Sequence, residues 1–428
     1  MFIDAMKIIN NNYKNGYTIP SEKLYPFQWN WDSAFSSLAI HSFNKEKAWV
    51  EINSLFSGQW FNGMIPHIIF HQKNNNYFPG EDFWNHKGKS KKPTTCITQP
   101  PVIISVVYWL TNIGDEYDLE QAKLLYHQLF KYLKWFNDER DIDNLGLIKI
   151  IHPWETGRDN SPDWDEAMKN IKIKIDENII KKKRKDIKLI NQTQRPTNDD
   201  YYKFITLVDF GNKNNWNKIM LYYNCPFQVV DHGIQFIYIR ACKDFLKLSN
   251  KLNIHDYDNI INSWIQKFTL GSEKLWCPKL KSYCSYNFKT HKLTTNISCC
   301  AFLSFYADIG SIKQKNDIMV NICNFMNNNK YCFPSWNNKS KSFNPVKYWR
   351  GPVWAIINLL ISIGLYKDYQ LISQKILDNT KELIQQNGFY EYFNPETGKG
   401  CGGNNFTWTA SVYIITLNIQ KYANIFYN

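Results

Sequence analysis

The residues best equipped for chemistry are two carboxylates in opposite halves of the chain, Asp159 in HPWETGRDNSPDW and Glu391 in GFYEYFNPETG. Asp159 follows Gly157, precedes Asn160-Ser161-Pro162, and has Trp154 and Trp164 close in sequence. Aromatic, water-poor surroundings disfavour an ionised carboxyl and raise its pKa, as a general acid requires. Glu391 lies between Tyr390 and Tyr392 and ahead of Asn394-Pro395. Cleavage of a glycosidic bond uses such a pair, one carboxyl protonated for the leaving oxygen and the other ionised to activate water. Taken singly, either residue reads equally well as a helix cap or a surface charge.

Other loops shift that balance. Asp32, in YPFQWNWD, is a short carboxylate set among tryptophans, suited to chelating two adjacent sugar hydroxyls. Trp29 and Trp31 can stack on a pyranose face, and Gln99 and Trp349 add polar and stacking groups. Arg350, in YWRGPVW, is a cation in an aromatic setting and reads as a loop tie rather than an anion site.

The segments YPFQWNWD, GMIPHI, QPP, HPWETGRDNSPDW, YWRGPVW and EYFNPETG occur in this order between about residue 20 and about residue 415. Together they resemble family 63 glycoside hydrolases, most closely the mannosylglycerate and glucosylglycerate hydrolase branch. The resemblance implies an all-α (α/α)6 barrel, an inverting mechanism, Asp159 as general acid and Glu391 as general base. It implies a sugar subsite of Trp29, Trp31, Asp32, Gln99, Trp154, Tyr348, Trp349 and Trp354. It also implies a glycerate-binding set of His67, Tyr77, Arg195 and Tyr201, with Tyr25 on a loop that closes over the substrate. An arginine fork suits a carboxylate, and Tyr201 would add a hydroxyl. In GCGGNNFTWTAS, Asn404 and Asn405 stand where a glutamine contact to glycerate is expected. Trehalases and α-glucosidases on neutral oligosaccharides are the rival hydrolases, but they need no anion-binding arginine.

Composition narrows the field further. The chain has 428 residues, 44% of them hydrophobic and 21% charged, which is enough for a large core. Its 16 Trp, 26 Tyr and 27 Phe exceed the needs of packing alone. Net charge is +13, and the Lys excess travels with Asn and Ile, so it reads as compositional bias; the run KKKRK at 181–185 reads as a solvated face. Without an RNA- or DNA-binding motif, and with acidic residues interleaved among the aromatics, a nucleic-acid partner is not expected. An inactive sugar-binding protein would usually have lost one of the two carboxylates. Ten cysteines without a CxxC pair suit neither a zinc site nor a disulfide scaffold, and no signal peptide is apparent, which points to the cytoplasm. The expected partner is a small-molecule glycoside, with no membrane, no cofactor and no metal required; a homo-oligomer is left open.

The elements that must position these residues are helical. Periodicity predicts helices near 32–42, 46–56, 100–112, 118–136, 228–248, 256–268, 297–308, 313–327, 352–364, 367–386 and 407–424. Strand patterns are few and short, the clearest at 146–152 and across 274–288. The helices come in pairs, and the Trp-, Pro- and Gly-rich segments fall between them. Residues 1–428 read as one catalytic domain, with the basic, weakly periodic stretch 166–200 inserted as a cap.

Overall fold

A computed structural model describes residues 1–419, 422 and 426. Twelve helices build the scaffold. They are α1 (Phe2–Asn12), α2 (Asn30–His41), α3 (Lys45–Phe56), α4 (Val102–Ile113), α5 (Glu116–Arg140), α6 (His232–Leu252), α7 (Asp258–Ser272), α8 (Leu303–Ala307), α9 (Ile312–Asn327), α10 (Ala355–Leu365), α11 (Gln370–Asn387) and α12 (Thr407–Leu417). The even-numbered helices form a closed inner ring in which α2 packs on α4, α4 on α6, α6 on α8, α8 on α10, α10 on α12, and α12 back on α2. The odd-numbered helices lie outside them. This is the expected (α/α)6 barrel.

Sequence explains which helices go inside. VIISVVYWL in α4 and AIINLLISIGL in α10 are apolar all round, and nearly every residue of both is buried. Each fully buried Ile or Leu there contributes about 1.5–3 kcal/mol relative to exposure. An outer helix such as α11 buries one stripe (Ser373, Ile376, Leu377, Thr380, Leu383 and Ile384) and leaves its polar face in water. The ring closes where the chain ends meet: Asn12 Nδ2 donates to Thr407 Oγ1 at 2.8 Å and to the Asn405 carbonyl at 3.0 Å.

Most expected helices appear within a few residues of their predicted bounds. The stretch 297–308 is a 3-10 turn, Cys299–Phe302, running into the short α8. The helix expected over 407–424 is seen to Leu417, and residues 420, 421, 423 and 424 lie outside the described set. Helix α1 was not expected, because FIDAMKIINNN buries only Ala5, Ile9 and Asn12 and carries too narrow a stripe. The helix Asn198–Lys213 was also missed, although Thr197 and Asp200 form a reciprocal capping box at its start. Among the described residues, no helix is long and apolar enough to cross a membrane.

The two ends of the barrel differ. Inner helices lead to outer ones through the short turns 42–44, 114–115, 253–257, 308–311 and 366–369. Outer helices return to inner ones through long segments, the longest being 141–231. Short strands brace these segments. Gln28–Trp29 pairs with Ile68–Ile69, and Lys149–Ile150 joins a four-stranded antiparallel sheet with Val229–Val230, Tyr286–Asn287 and Lys292–Leu293. The hairpin Tyr390–Phe393 with Gly400–Asn404 was read from the sequence as loop, since GCGGN carries no β-branched or aromatic signal.

Candidate active site

A half-open pocket lies at the end where the long segments gather. Its walls come from the connections into α2, α4, α6, α10 and α12, and from the first turns of α2 and α12. The N-termini of these inner helices, with their positive dipole ends, lie at this end of the barrel. Of the residues singled out in the sequence, Tyr25, Trp29, Trp31, Asp32, His67, Tyr77, Gln99, Trp154, Asp159, Arg195, Tyr201, Tyr348 and Glu391 all line this one pocket.

Asp159 is held by its neighbours rather than by its own side chain. His152 Nδ1 accepts from the Trp154 amide at 3.0 Å, starting the 3-10 turn Pro153–Thr156. Gly157 then takes a left-handed turn at φ +71°, and a Cβ there would lie 2.4 Å from the Trp31 ring. Arg158 points away from the pocket and bridges Asp163 Oδ2 (2.8 Å) and Asp231 Oδ1 (2.5 Å). These aspartates and His232 form the one cluster of potential metal ligands among the described residues, and the Arg158 guanidinium already supplies their positive charge. Asn160 Oδ1 accepts from the Trp349 amide at 3.0 Å, and Trp164 Nε1 donates to the Asp159 carbonyl at 2.9 Å. Arg350 closes the loop with two 2.7 Å bonds to Asp165 and one to the Asn160 carbonyl, as its loop-tying reading expected.

The Asp159 carboxyl itself lines the pocket, and among the described residues no other residue donates a hydrogen bond to it. Burial pushes its pKa up to about 7; the Arg195 charge opposes this, and Glu391 and Asp186 add to it. At neutral pH a large fraction is therefore protonated.

Glu391 is 1% exposed and sits on a β-bulge: Tyr390 pairs with Asn404 and Tyr392 with Cys401, so Gly402 and Gly403 together oppose it. A bulge re-aims a side chain. Gly402 is left-handed at φ +70°, and a Cβ there would meet Glu391 Oε2 at 2.3 Å. Oε2 accepts from the Gly403 amide at 3.1 Å, and Oε1 accepts from the Tyr25 hydroxyl at 2.8 Å. Tyr25 pairs in turn with the Tyr348 hydroxyl at 3.1 Å. Burial raises the Glu391 pKa, while Arg195 and these donors pull it back.

Asp32 stands in the first turn of α2, 5% exposed. The helix N-terminus favours its charge, yet burial and the nearby Glu391 charge win and hold its pKa well above the usual range. Trp31 is fastened by its amide to Gln99 Oε1 at 3.3 Å, and Trp29 packs edge-on against Tyr25 and Tyr77. Trp349 and Trp354 do not reach the walls. They stack on each other at 3.8 Å with their planes 4° apart, behind Trp31, Tyr348 and Tyr392. Their contribution is to hold the wall, which their spacing in YWRGPVW could not reveal.

The facing wall comes from the segment 166–200 and the helix after it. This segment folds into Glu177–Lys183, Asp186–Leu189 and a 3-10 turn at Gln192–Gln194, and contributes Lys185, Asp186, Leu189, Arg195 and Pro196 to the pocket. The run 181–185 is accordingly no uniform solvated face. Arg184 is fully buried, and Lys185 lines the pocket. Arg195 is 6% exposed, its guanidinium lies 4.3 Å from the Tyr348 ring, and its Nη1 is 3.7 Å from Glu391 Oε1 with no hydrogen-bond partner.

His67 is a second unspent donor. Trp29 Nε1 donates to its Nε2 at 3.1 Å, and an indole N–H only donates, so the proton of the neutral ring sits on Nδ1. Burial holds the ring neutral, its pKa pushed down to about 3, and Nδ1 has no partner. The Tyr201 hydroxyl differs from expectation: it donates to the Phe78 carbonyl at 2.6 Å, tying the 76–79 loop to the cap, and retains only its acceptor lone pairs. Asn404 and Asn405 are exposed and border a separate groove with Ser21 and Tyr390. Pocket residues with no sequence signal are Asp186, Phe204, Phe406 and Trp408. Each lies in a segment whose pattern does not separate pocket from core.

An (α/α)6 barrel whose loops bring a raised-pKa aspartate, a hydrogen-bonded glutamate and a tryptophan wall into one pocket has the machinery of a glycoside hydrolase. The family model of the mannosylglycerate hydrolase MGH1-like glycoside hydrolase domain matches residues 25–409. The chain is 34% identical over 414 residues to mannosylglycerate hydrolase MGH1 of Selaginella moellendorffii, covering 96% of this chain and 84% of that one. It is 26% identical over 441 residues to the glucosylglycerate hydrolase of Mycolicibacterium hassiacum, covering 96% of each. The crystal structure of the GH63 mannosylglycerate hydrolase from Thermus thermophilus in complex with Tris and D-glycerate superposes with a TM-score of 0.90 at 32% identity, covering 96% of this chain and 98% of that one. The chain belongs to the mannosylglycerate hydrolase MGH1-like glycoside hydrolase family.

Proposed function

We propose that this enzyme hydrolyses a small anionic α-glycoside in which a hexose is linked to glycerate, with mannosylglycerate the first candidate and glucosylglycerate the second. The observation that carries this reading is Arg195 Nη1, a buried cationic donor in the pocket wall that has no hydrogen-bond partner and lies 3.7 Å from Glu391 Oε1. Leaving a charged donor unsatisfied in a buried site is costly, and a ligand carboxylate would satisfy it through charge-assisted bonds. A neutral disaccharide could offer only hydroxyl oxygens, without the opposing charge. The names of the relatives point the same way.

In this reading the hexose lies against Trp29, Trp31 and Trp154, with Asp32 and Gln99 on its hydroxyls. Asp159 delivers its proton to the glycosidic oxygen as the bond to the anomeric carbon breaks. Glu391 takes a proton from the water that attacks the opposite face. Inversion requires the two carboxyls to stand roughly 6.5–9.5 Å apart, with the water between them. His67 Nδ1–H and the Tyr77 hydroxyl face the glycerate beside Arg195. Trp349 and Trp354 support the sugar wall from behind. Residues 1–428 act as one catalytic domain with 166–200 as its cap, and the ten unpaired cysteines fit a cytoplasmic location.

The test is to incubate the purified enzyme with α-mannosylglycerate, α-glucosylglycerate, trehalose and kojibiose, and to follow the products by proton NMR. Release of glycerate with the sugar first appearing as the β-anomer is the expected result. Cleavage of trehalose or kojibiose without the glycerate glycosides would overturn the substrate, and a first-formed α-anomer would overturn inversion.

A further inference from the structure

Three charged residues of the cap meet although their sequence reads as a basic run and a loop. Arg184 is fully buried, and all five of its N–H groups are engaged: Nε with Asp186 Oδ1 (2.7 Å), Nη2 with Asp186 Oδ2 (2.9 Å) and the Pro196 carbonyl (2.7 Å), and Nη1 with the Thr197 carbonyl and Asn198 Oδ1 (3.0 Å each). Its plane also covers the Tyr201 ring at 4.5 Å. Asp186 Oδ2 accepts a further bond from Arg195 Nε at 3.1 Å. Arg195 is the opposite of Arg184: Nε is its only nitrogen hydrogen-bonded to a carboxylate, and Nη1 lies 3.7 Å from Glu391 Oε1, in ion-pair range but without a hydrogen bond.

We infer that Asp186 is a specificity-determining positioning residue, which transmits the rigidity of the saturated Arg184 to Arg195 and aims Nη1 of Arg195 at the acid half of the substrate. This rests on the reading that the substrate carries a carboxylate. The physical reason is the freedom of an arginine side chain, whose rotamer entropy must be given up on binding unless something has fixed it beforehand. Asp186 grips the Nε side, and the Tyr348 ring lies at 4.3 Å and the Tyr25 ring at 5.8 Å. Nη1, near Glu391 but without a hydrogen bond, is the donor that a ligand in the pocket would engage. Asp186 also separates two buried guanidinium groups that would otherwise repel each other.

The experiment compares α-mannosylglycerate with α-mannosylglycerol, the neutral glycoside in which CH2OH replaces the carboxylate. The readout is the ratio of their kcat/KM values. Asp186→Asn keeps the shape but weakens the grip on both arginines. It is expected to lower the ratio about tenfold, with the loss carried by KM for the anionic glycoside. Arg184→Lys keeps the charge but loses the fork, and should lower the ratio in the same direction while the protein stays folded by thermal melt. Asp186→Glu should recover part of the ratio. If the wild-type enzyme prefers neither glycoside, the substrate reading fails and the inference falls with it. If the wild type prefers the anionic glycoside but Asp186→Asn and Arg184→Lys leave the ratio unchanged, or lose both substrates in parallel, the inference alone is overturned.

Discussion

Asp159 and Glu391 share a pocket and a common opposing charge, Arg195, but the protein treats their carboxyls differently. Glu391 is the more deeply buried, yet it receives the Tyr25 hydroxyl, the Gly403 amide and the Arg195 charge. Asp159 lines the pocket, and among the described residues no other residue donates a hydrogen bond to its carboxyl. Burial raises both carboxyls, but hydrogen bonds from other residues that favour the ionised form act on Glu391 and oppose that rise. The backbone devices differ as well. Asp159 is fixed by side chains on either side of it in sequence, whereas Glu391 is fixed by a bulge that two glycines on the facing strand permit.

The most severe way to break this comparison is to neutralise each partner. Asp159→Asn and Glu391→Gln should each lower kcat on the natural glycoside by about a thousandfold. A nitrophenyl α-glycoside, whose leaving group needs no proton, should restore turnover to Asp159→Asn and not to Glu391→Gln; equal rescue of both would erase the asymmetry. Next, Gly402→Ala should cost about a hundredfold in kcat, because a Cβ at φ +70° displaces Glu391 Oε2. A variant with normal activity would show that the bulge does not aim the base.

A smaller effect tests the donors. Tyr25 favours ionised Glu391, so Tyr25→Phe removes a stabiliser of the anion and raises the carboxyl pKa. Tyr348, Arg195, the Gly403 amide, Asp159 and Asp32 remain around it. The acidic limb of the kcat/KM profile should therefore move to higher pH, with kcat/KM down about tenfold. The basic limb should stay near pH 7 in both proteins, since it reports loss of the Asp159 proton. A basic limb that moves with Tyr25 instead would assign the acid elsewhere. The mildest change is Arg350→Gln, which loosens the Asp159 loop. The Arg350–Asp165 pair is partly exposed, so about 1 kcal/mol of stability is at stake in a urea melt, with kcat reduced only a few fold.

Much of the scaffold was legible because inner helices announce themselves. VIISVVYWL and AIINLLISIGL have no polar face and can only be interior. Outer helices with one narrow stripe, such as α1, fall below that signal. Among site residues, those in loops crowded with Trp, Pro and Gly were found because such loops do more than connect helices. The cap was the least legible part. Lys181 and Lys182 are exposed while Arg184 in the same run is fully buried, and nothing in KKKRK distinguishes them. Trp349 and Trp354 were misplaced for the converse reason, since a tryptophan beside a site and one behind it look alike in sequence.

By itself the sequence determined an all-helical scaffold and the loops in which aromatics and carboxylates cluster, because apolar periodicity and clustered aromatic loops are local properties; the barrel and the roles proposed for Asp159 and Glu391 came from the resemblance to a known family. Only the tertiary structure decided which carboxyl is left without outside donors, which nitrogen of His67 keeps its proton, and that Arg195 keeps a nitrogen without a hydrogen bond while Arg184 has none. Those outcomes depend on which donors and acceptors remain after residues far apart in the chain have paired, and hydrogen-bond satisfaction is a property of the folded whole.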